Sequence, residues 1–399
     1  CNFASVNIGQ RQSKADVKHH PYNGLGLAFI VKGQQTAPQF GVGHGCKNKK
    51  KMDKSNVNDT GKWLSQAENT PSTPDNMGLT TTQAHATATQ STDERYMRRC
   101  LQLARCGLLG AKPNPMVGAV VVHNDRIIGE GYHIHCGEGH AEVNAFAAIR
   151  PEDEPFLPHS TLYVSLEPCS HYGKTPPCAD LIIRKGVARV VVGCVDPFSK
   201  VQGRGIEKLR QAGIEVVVGV LEKACLALNR RFIVFQREQR PYVIMKWAQT
   251  SNGFIDDHFH ALAISTPFTQ MLSHKLRAEC DAILVGKTTD EREHPALNTR
   301  HWWGENPRRL VLHRHQPITQ LLAQLYQDNV QTLIVEGGAI VHQAFIDANC
   351  CDEIHRETAP FTVYDGTRAV AIPPKFQLIK QETYDGNVLE EFVSEYASL

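Results

Sequence analysis

One histidine and two cysteines near the middle of the chain have the types and order of zinc ligands: His140, Cys169 and Cys178. An imidazole and two thiolates leave the fourth position of a tetrahedral zinc ion for water. Bound zinc lowers the pKa of that water enough to supply hydroxide near neutral pH. Glu142 lies two residues after His140. A carboxylate there can take the proton of the water and pass it to a leaving amine.

This order predicts the chemistry of zinc nucleobase deaminases, in which a His-x-Glu segment precedes a Pro-Cys segment and a second cysteine. The spacing departs from that signature, because eight residues separate Cys169 from Cys178 where two are usual. Taken singly, His140 and Glu142 could lie on a helix surface, and the cysteines could be buried thiols that pack like small apolar residues. Further donors nearby are rival ligands: His133, His135, Cys136 and His171. We expect His171 to contact substrate rather than metal.

The predicted secondary structure places these residues where helices begin and strands end. A helix over residues 140–149 begins at the histidine, and a buried strand over 161–166 leads directly into Pro168 and Cys169. Other predicted strands are 119–122, 126–132, 189–194 and 214–220, and other predicted helices are 93–104, 179–185 and 202–212. Because strand and helix alternate, we expect residues 94–238 to form one layered α/β domain.

Chain length, net charge and cysteine content limit the number of domains, the kinds of binding partner and the cellular compartment to be expected. The chain has 399 residues, enough for two or three domains. A formal net charge of +2, from 43 basic and 41 acidic side chains, gives no reason to expect nucleic acid or a membrane as partner. The 12 cysteines lack regular spacing, which favours a reducing compartment, the cytoplasm, over a secreted disulfide scaffold.

The two ends of the chain differ in character. Residues 1–93 are rich in Ser, Thr, Gln, Asn, Lys and Gly. Such a segment buries too little apolar surface to offset the entropy of ordering, so we expect it to be mostly disordered or a non-native extension. Arg240-Pro241 marks the start of a second domain, residues 239–399, with apolar strands predicted at 242–248, 282–286, 309–312 and 332–335. Gly337 and Gly338 follow the last of these, where backbone N–H groups before a helix can hold a phosphate.

Several segments together match a known pattern: 112–118, 140–143, 167–178, 196–197, 203–206, 227–229 and 336–338. On these segments the chain resembles the family of bifunctional riboflavin-biosynthesis proteins of the RibD type, over about residues 94–399. It accounts for the long spacing between Cys169 and Cys178, which is the form that the deaminase signature takes in this family.

The resemblance implies a fold, a substrate and two cofactors. The fold is a cytidine-deaminase-like three-layer α/β/α domain followed by a dihydrofolate-reductase-like α/β domain. The first domain, with one zinc ion, would deaminate 2,5-diamino-6-ribosylamino-4(3H)-pyrimidinone 5′-phosphate, with Glu142 as the proton shuttle. The second would use NADPH to reduce the ribosyl group of the product to ribityl. The resemblance therefore implies a small molecule as the partner. It also implies a homo-oligomer, which is typical of proteins of this family.

The resemblance also implies roles for individual residues. Predicted substrate contacts are Asn114, Arg277, Leu297, Arg300 and Glu336. Predicted cofactor contacts are Lys246, Ala248, Thr289, Glu293, Gly337 and Gly338. A guanidinium suits a sugar phosphate because it can bind two oxygens at once. The chain departs from the family pattern at Asn252, Ala263 and Glu293, where Asp, Trp and Asp are common, and these departures concern the NADPH contacts.

Three other functions stay open from the residues. The first is a zinc-dependent deaminase of another nucleobase or nucleoside, with an inactive reductase-like domain. The second is a non-catalytic binding module with a structural metal, which would need a fourth protein ligand that the sequence does not offer. The third is an editing deaminase acting on RNA or DNA, which would need basic and stacking surfaces for the strand.

Overall fold

Short runs of branched apolar residues form the central strands of two sheets, and helices cover both faces of each sheet. The computed structural model describes residues 81–171, 176–196 and 203–395, with side chains from residue 92 onward. The prediction of disorder for residues 1–80 lies outside the described residues, as do residues 172–175 and 197 of the matching segments. Strands buried on both faces read as continuous apolar runs, which is why the central strands were predictable.

The strands of the first sheet are β1 (Gly118–His123), β2 (Arg126–Tyr132), β3 (Thr161–Leu166), β4 (Arg189–Cys194) and β5 (Glu215–Val218). They lie in the order β2-β1-β3-β4-β5. β1 pairs antiparallel with β2 and β3, whereas β3, β4 and β5 are parallel. The parallel strands bring their carboxyl ends to one edge of the sheet, and the segment that contains Cys169 leaves from this edge.

Helices cover both faces of the first sheet: α1 (Thr81–Arg105), α2 (Ala141–Ala147), α3 (Cys178–Lys185), α4 (Arg204–Gln211) and α5 (Glu222–Leu228), with a short 3-10 helix at Glu154–His159. Apolar residues of α2, α3 and α4 share one core with the sheet. Those of α1 and α5 share the core on the opposite face. This is the three-layer α/β/α arrangement that the resemblance implies.

The strands of the second sheet are β6 (Tyr242–Gln249), β7 (Ala282–Gly286), β8 (Arg308–Leu312), β9 (Thr332–Val335), β10 (Glu353–Thr358), β11 (Phe376–Tyr384) and β12 (Asn387–Ser394). Their order is β11-β12-β10-β6-β9-β7-β8. β12 is antiparallel to β10 and β11, and the remaining pairs are parallel. The sheet is therefore a mixed α/β sheet with an antiparallel edge.

The helices of this second part are α6 (Arg230–Glu238), α7 (Pro267–Ala278), α8 (Lys287–Glu293), α9 (Ile318–Gln327) and α10 (Ala339–Asp347). Apolar side chains of α9 and α10 pack on one face of the sheet. Those of α6 and α7 pack on the other. The Thr266 hydroxyl caps α7 by accepting a hydrogen bond from the Thr269 amide at 3.2 Å, a common way to satisfy an N-terminal amide of a helix.

α6 belongs to both domains, although the sequence assigns it to residues 94–238. Its Val234 shares an apolar core with Tyr242 and Ile244 of the second sheet. Its Phe232 and Gln236 line a cavity of the first domain. The change from one domain to the other is therefore spread over a helix and does not occur at Arg240.

α1 begins at Thr81, whereas the sequence predicts this helix only from Asp93. Two physical reasons support the longer helix. Alanines at every second position from residue 84 to 88 favour a helix. The C-terminal half of α1 packs on the sheet, with Met97 and Cys100 fully buried, and this packing offsets the cost of nucleating the helix. Asp93 is also 4% exposed. Its carboxylate pairs with Arg189 at 2.8 Å and accepts the Tyr163 hydroxyl at 2.9 Å.

Among the described helices, none has the length and apolar character needed to cross a membrane.

We expect Asp93→Ala to lower the free energy of unfolding of the first domain by about 3 kcal/mol, because it leaves the half-buried Arg189 without its bidentate partner. Urea unfolding followed by circular dichroism measures the change. Glu94→Ala is the matched control, since it removes only the exposed ion pair with Arg98 and should cost less than about 1 kcal/mol. Equal losses in the two variants would show that the Asp93–Arg189 pair does not anchor α1.

Candidate active sites

The three predicted metal ligands converge in the first domain. His140 is the residue before the first turn of α2, Cys178 is the first residue of α3, and Cys169 follows β3. The Nδ1 atom of His140 lies 3.6 Å from the Cys169 sulfur and 3.3 Å from the Cys178 sulfur. All three ligand atoms lie within 4.8 Å of one another.

These separations fit a zinc ion. Zinc bonds of about 2.0–2.1 Å to nitrogen and about 2.3 Å to sulfur, at tetrahedral angles, place the donor atoms roughly 3.5–3.8 Å apart. One nitrogen and two sulfurs are also soft donors, which bind zinc in preference to magnesium or calcium. The backbone N–H of Cys178 donates to the Cys169 sulfur at 3.3 Å, which fixes the position of that thiolate. The donor set therefore fits zinc in both chemistry and separation.

The electrostatics of the site favour ionised sulfur. The hydrogen bond between the Cys169 and Cys178 thiols, opposed by burial, lowers the pKa of Cys169 below its usual value. The same hydrogen bond raises the pKa of Cys178 above its usual value. The site therefore favours ionisation of one sulfur, and binding of a metal requires both thiols to lose their protons.

Glu142 lies in the first turn of α2, beside the ligands, and is 3% exposed. Burial, and secondly the charge of Cys169, raises the pKa of Glu142 to about 7. A carboxyl group with a pKa near neutral can both accept and donate a proton at that pH. The geometry and the pKa of Glu142 suit the proton-shuttle role that the sequence predicts, which stays a prediction.

His133 is a hydrogen-bonding residue and not a member of the ligand cluster. The side-chain amide nitrogen of Asn114, which can only donate, lies 3.1 Å from its Nε2. Nε2 must therefore accept, and Nδ1 carries the proton toward the carbonyl oxygen of Gly139, 3.1 Å away. The other rivals are also outside the cluster: His135, Cys136 and His171 are exposed.

His140, Cys169 and Glu142 line a cavity of about 480 Å³. Its wall includes the predicted substrate contact Asn114, and also His171, which we expected to face substrate. The structure thus brings together all the predicted residues of the first site, in a space large enough for a small molecule.

Glu167 lines this cavity and supports its wall, a role that the sequence did not reveal. Its carboxylate is 5% exposed. It accepts the backbone N–H groups of Asp196 at 3.2 Å, Gly203 at 2.9 Å and Gly205 at 2.9 Å. A side chain on Gly205 would meet the Pro168 carbonyl oxygen at 2.0 Å, so glycine is required for this close approach. Glu167 therefore ties the start of α4 to the Pro168 segment.

A second cavity, of about 440 Å³, lies in the second domain. Its lining includes most residues that the resemblance implies: Lys246, Ala248, Arg277, Thr289, Glu293, Arg300, Glu336, Gly337 and Gly338. Ala263, a departure from the family pattern, also lines it. Leu297 is the exception, because it is 6% exposed and packs in the apolar core with Leu276. The geometry therefore gives no support to a substrate contact by Leu297.

Arg277 and Glu336 form a bidentate ion pair in this cavity. Nε and Nη2 of Arg277 donate to the two carboxylate oxygens at 2.7 and 2.6 Å. Burial alone would raise the pKa of Glu336, but Arg277 holds it below its usual value. The remaining Nη1 of Arg277 donates to the carbonyl oxygen of Asn298 at 3.2 Å. Glu336 is therefore an ionised carboxylate at neutral pH, in a fixed orientation.

Sequence reasoning missed His274, which lies one helical turn before Arg277 and lines the same cavity. The imidazole is 3% exposed, and its Nδ1 has no hydrogen-bond partner among the described residues. Burial and the nearby Arg277 lower the pKa of His274 to about 4, so the ring is neutral. The i, i+3 spacing from a predicted substrate contact was the signal that could have identified it.

Gly337 and Gly338 lie between β9 and α10, as predicted. A side chain on Gly337 would come within 3.0 Å of the Val341 side chain and 3.2 Å of the Gly286 backbone nitrogen. This close approach brings the turn before α10 against the end of β7. Thr289 lies on the open side of the turn, 3.5 Å from the position that a Gly338 side chain would take. The predicted cofactor contacts Thr289 and Gly338 are therefore neighbours.

Both domains match family models. The cytidine and deoxycytidylate deaminase zinc-binding region matches residues 90–194, and the RibD C-terminal domain matches residues 241–320 and 315–388. The two models follow the order that the resemblance implies. They support an α/β chain with a cytidine-deaminase-like zinc-binding domain followed by a RibD C-terminal domain.

Relatives and a solved structure extend this similarity over both domains. The riboflavin biosynthesis protein RibD of Synechocystis sp. is 44% identical over 61% of this chain and 65% of its own length, just under two thirds. RibD of Bacillus amyloliquefaciens is 33% identical over 70% of this chain and 87% of its own. The crystal structure of a diaminohydroxyphosphoribosylaminopyrimidine deaminase/5-amino-6-(5-phosphoribosylamino)uracil reductase from Thermotoga maritima is 33% identical, with a TM-score of 0.71 over 77% of this chain and 99% of that one. Because this likeness runs through both domains, the chain belongs to the RibD family of riboflavin biosynthesis proteins.

Proposed function

We propose that the chain is a bifunctional enzyme of riboflavin biosynthesis. Its first domain deaminates 2,5-diamino-6-ribosylamino-4(3H)-pyrimidinone 5′-phosphate, and its second domain reduces the ribosyl group of 5-amino-6-(5-phosphoribosylamino)uracil to ribityl with NADPH. The observation that carries the proposal is the convergence of three zinc-type donors, two of which line one cavity together with the buried Glu142. The Thermotoga maritima protein, whose name gives both activities, aligns over 99% of its length.

In the deaminase site, His140, Cys169 and Cys178 hold zinc, which when bound supplies an acidified water for hydrolysis. Glu142 collects a proton from the attacking water and delivers it to the departing amine, so that the amine leaves as ammonia. The side-chain nitrogen of Asn114 is engaged by His133. Its oxygen is thereby directed to accept a hydrogen bond from an N–H of the substrate.

In the reductase site, NADPH supplies the hydride for the sugar carbon. The turn at Gly337 and Gly338 presents backbone N–H groups to the cofactor phosphates. Arg300 is exposed at the cavity wall and is placed to bind the phosphate of the substrate. Glu336, kept ionised by Arg277, accepts hydrogen bonds from the substrate. His274 adds a neutral imidazole to the same wall.

We also propose a cytoplasmic location and a homo-oligomeric state. The described cysteines are free thiols, as is usual in a reducing compartment. The homo-oligomer follows from family membership alone.

The alternative, a deaminase of another nucleobase with an inactive reductase-like domain, is not favoured. The second domain matches the RibD C-terminal model. Its cavity contains nearly all the predicted contacts. At two of the three departures, Asn252 and Glu293, the chain keeps a polar side chain.

We expect purified protein to release ammonia and oxidise NADPH on the pyrimidine phosphate, with only ammonia release sensitive to chelator. Cys169→Ser should lose zinc and ammonia release while NADPH oxidation on the deaminated substrate is retained, because one of three ligands is removed. Zinc content by mass spectrometry and two separate product assays measure this. Ammonia release without NADPH oxidation by the wild type would refute the bifunctional proposal, and undiminished zinc in the variant would refute the ligand set.

Glu142→Gln should keep zinc and lower ammonia release by at least about 100-fold, the usual contribution of a positioned acid–base group. The amide keeps the shape of the side chain but cannot carry the proton. NADPH oxidation is the internal control and should be unchanged. Turnover close to that of the wild type would contradict the proton-shuttle role.

Arg277→Met should abolish NADPH oxidation and lower the free energy of unfolding of the second domain by about 3 kcal/mol, because Glu336 is left as an unpaired buried charge. Arg300→Met, at the exposed wall of the same cavity, should raise the KM for reduction without changing stability. Steady-state kinetics and thermal unfolding separate the two effects. If the two variants were equally stable, the ion pair would not be the support that we infer.

A further inference from the structure

The segment from Lys112 to Met116 forms one wall of the deaminase cavity. Pro113, Asn114 and Pro115 all line it, and Asn114 is the predicted substrate contact. The segment has no regular secondary structure of its own. Its conformation must therefore be set by the groups that bind it from outside.

Three of those groups belong to the second domain. The ammonium of Lys112 donates to the carbonyl oxygen of Glu279 at 2.7 Å and pairs with the Asp281 carboxylate at 2.9 Å. The side-chain amide of Gln331 donates to the carbonyl oxygen of Pro113 at 3.2 Å. Gln331 is 4% exposed, so this contact is shielded from water.

The partners of the segment are themselves fixed. The second oxygen of Asp281 accepts the backbone N–H groups of Gln331 at 3.0 Å and Thr332 at 2.9 Å. Asp281 and Gln331 directly precede β7 and β9, two central strands of the second sheet. The wall of the first cavity is thus attached to the rigid core of the other domain.

The far end of the segment is held by the helix junction between the domains. The side chain of Asn229, 2% exposed, accepts the backbone N–H of Met116 at 2.8 Å and donates to its carbonyl oxygen at 2.9 Å. Asn229 lies between α5 and α6, and the Phe232 ring of α6 adds to the same cavity wall.

We propose that Lys112 and Gln331 are positioning residues for deamination, through which the second domain sets the position of Asn114 in the first cavity. The inference rests on the deaminase activity proposed above. Neither residue reaches the reacting atoms. They act by holding the backbone on both sides of the peptide that carries Asn114, so their loss should weaken substrate binding and leave the proton transfers at Glu142 intact.

The test uses the full-length zinc-loaded protein. Lys112→Met and Gln331→Met should each raise the KM for ammonia release about fivefold, the usual net contribution of one hydrogen bond. In each variant kcat should stay within about twofold, with zinc content and NADPH oxidation unchanged. Lys112→Arg should restore the KM, since it keeps the charge. Faster hydrogen exchange of the Met116 amide in both Met variants is a readout independent of turnover.

Glu279→Gln is the matched control. It removes a neighbouring ion pair between α6 and the second domain, Arg231 to Glu279 at 3.6 Å, without removing a bond to the segment. An unchanged KM in both Met variants, or an equal increase in the Glu279→Gln control, would overturn the positioning role. A wild type that releases no ammonia would instead refute the proposed activity, and hydrogen exchange at Met116 would still decide whether the second domain holds the segment.

Discussion

The first site depends on three donor atoms that lie within 4.8 Å of one another with no covalent link between them. A sulfur and a nitrogen at such distances stay in place only if the backbone on each side is rigid. The chain meets this requirement by putting His140 before α2 and Cys178 at the first turn of α3, while Cys169 leaves the sheet edge after β3. At the start of α3 the backbone N–H of Cys178 donates to the Cys169 sulfur, and an N-terminal helix amide suits such an anionic acceptor.

Both cavities contain a buried carboxylate, but their surroundings drive the two groups in opposite directions. In the metal-free site no arginine pairs with Glu142 among the described residues, and burial raises the pKa of Glu142 to about 7. The side chain of Glu336 is 9% exposed, and the bidentate Arg277 keeps it ionised. One carboxylate can therefore exchange protons near neutral pH, and the other is a permanent acceptor. This difference follows from the neighbours alone, since the two side chains are chemically the same.

The sequence predicted the elements whose signal is local. The buried strands β1, β3, β4, β6 and β9 were evident as apolar runs, and the order of His140, Glu142, Cys169 and Cys178 indicated the metal set. The strands β10, β11 and β12 were not predicted because they are rich in charged residues. In β10, Glu353 and Glu357 are buried, and their carboxylates are satisfied by Tyr242 and Thr269 from distant parts of the chain. Such long-range pairs leave no periodic pattern to read.

The same limit explains the site residues that were missed. Glu167 belongs to a matching segment, but its three backbone partners lie some distance along the chain and are known only after folding. His274 could have been suggested by its spacing from Arg277. The placement of Leu297 in the core could not have been predicted from the sequence, because it depends on how α7 and β6 pack.

The position of α6 limits how the chain can be divided. A fragment that ends before Arg230 would lose Phe232 and Gln236 from the deaminase cavity. A fragment that keeps the helix but ends before Tyr242 would expose Val234 and Phe235, which are 1% and 3% exposed in the whole chain. All residues between Leu228 and Tyr242 are described. A cut at any point between them leaves one fragment without part of its cavity wall or with exposed apolar side chains. Expressing the two activities as separate proteins would therefore require α6 to be redesigned or supplied twice.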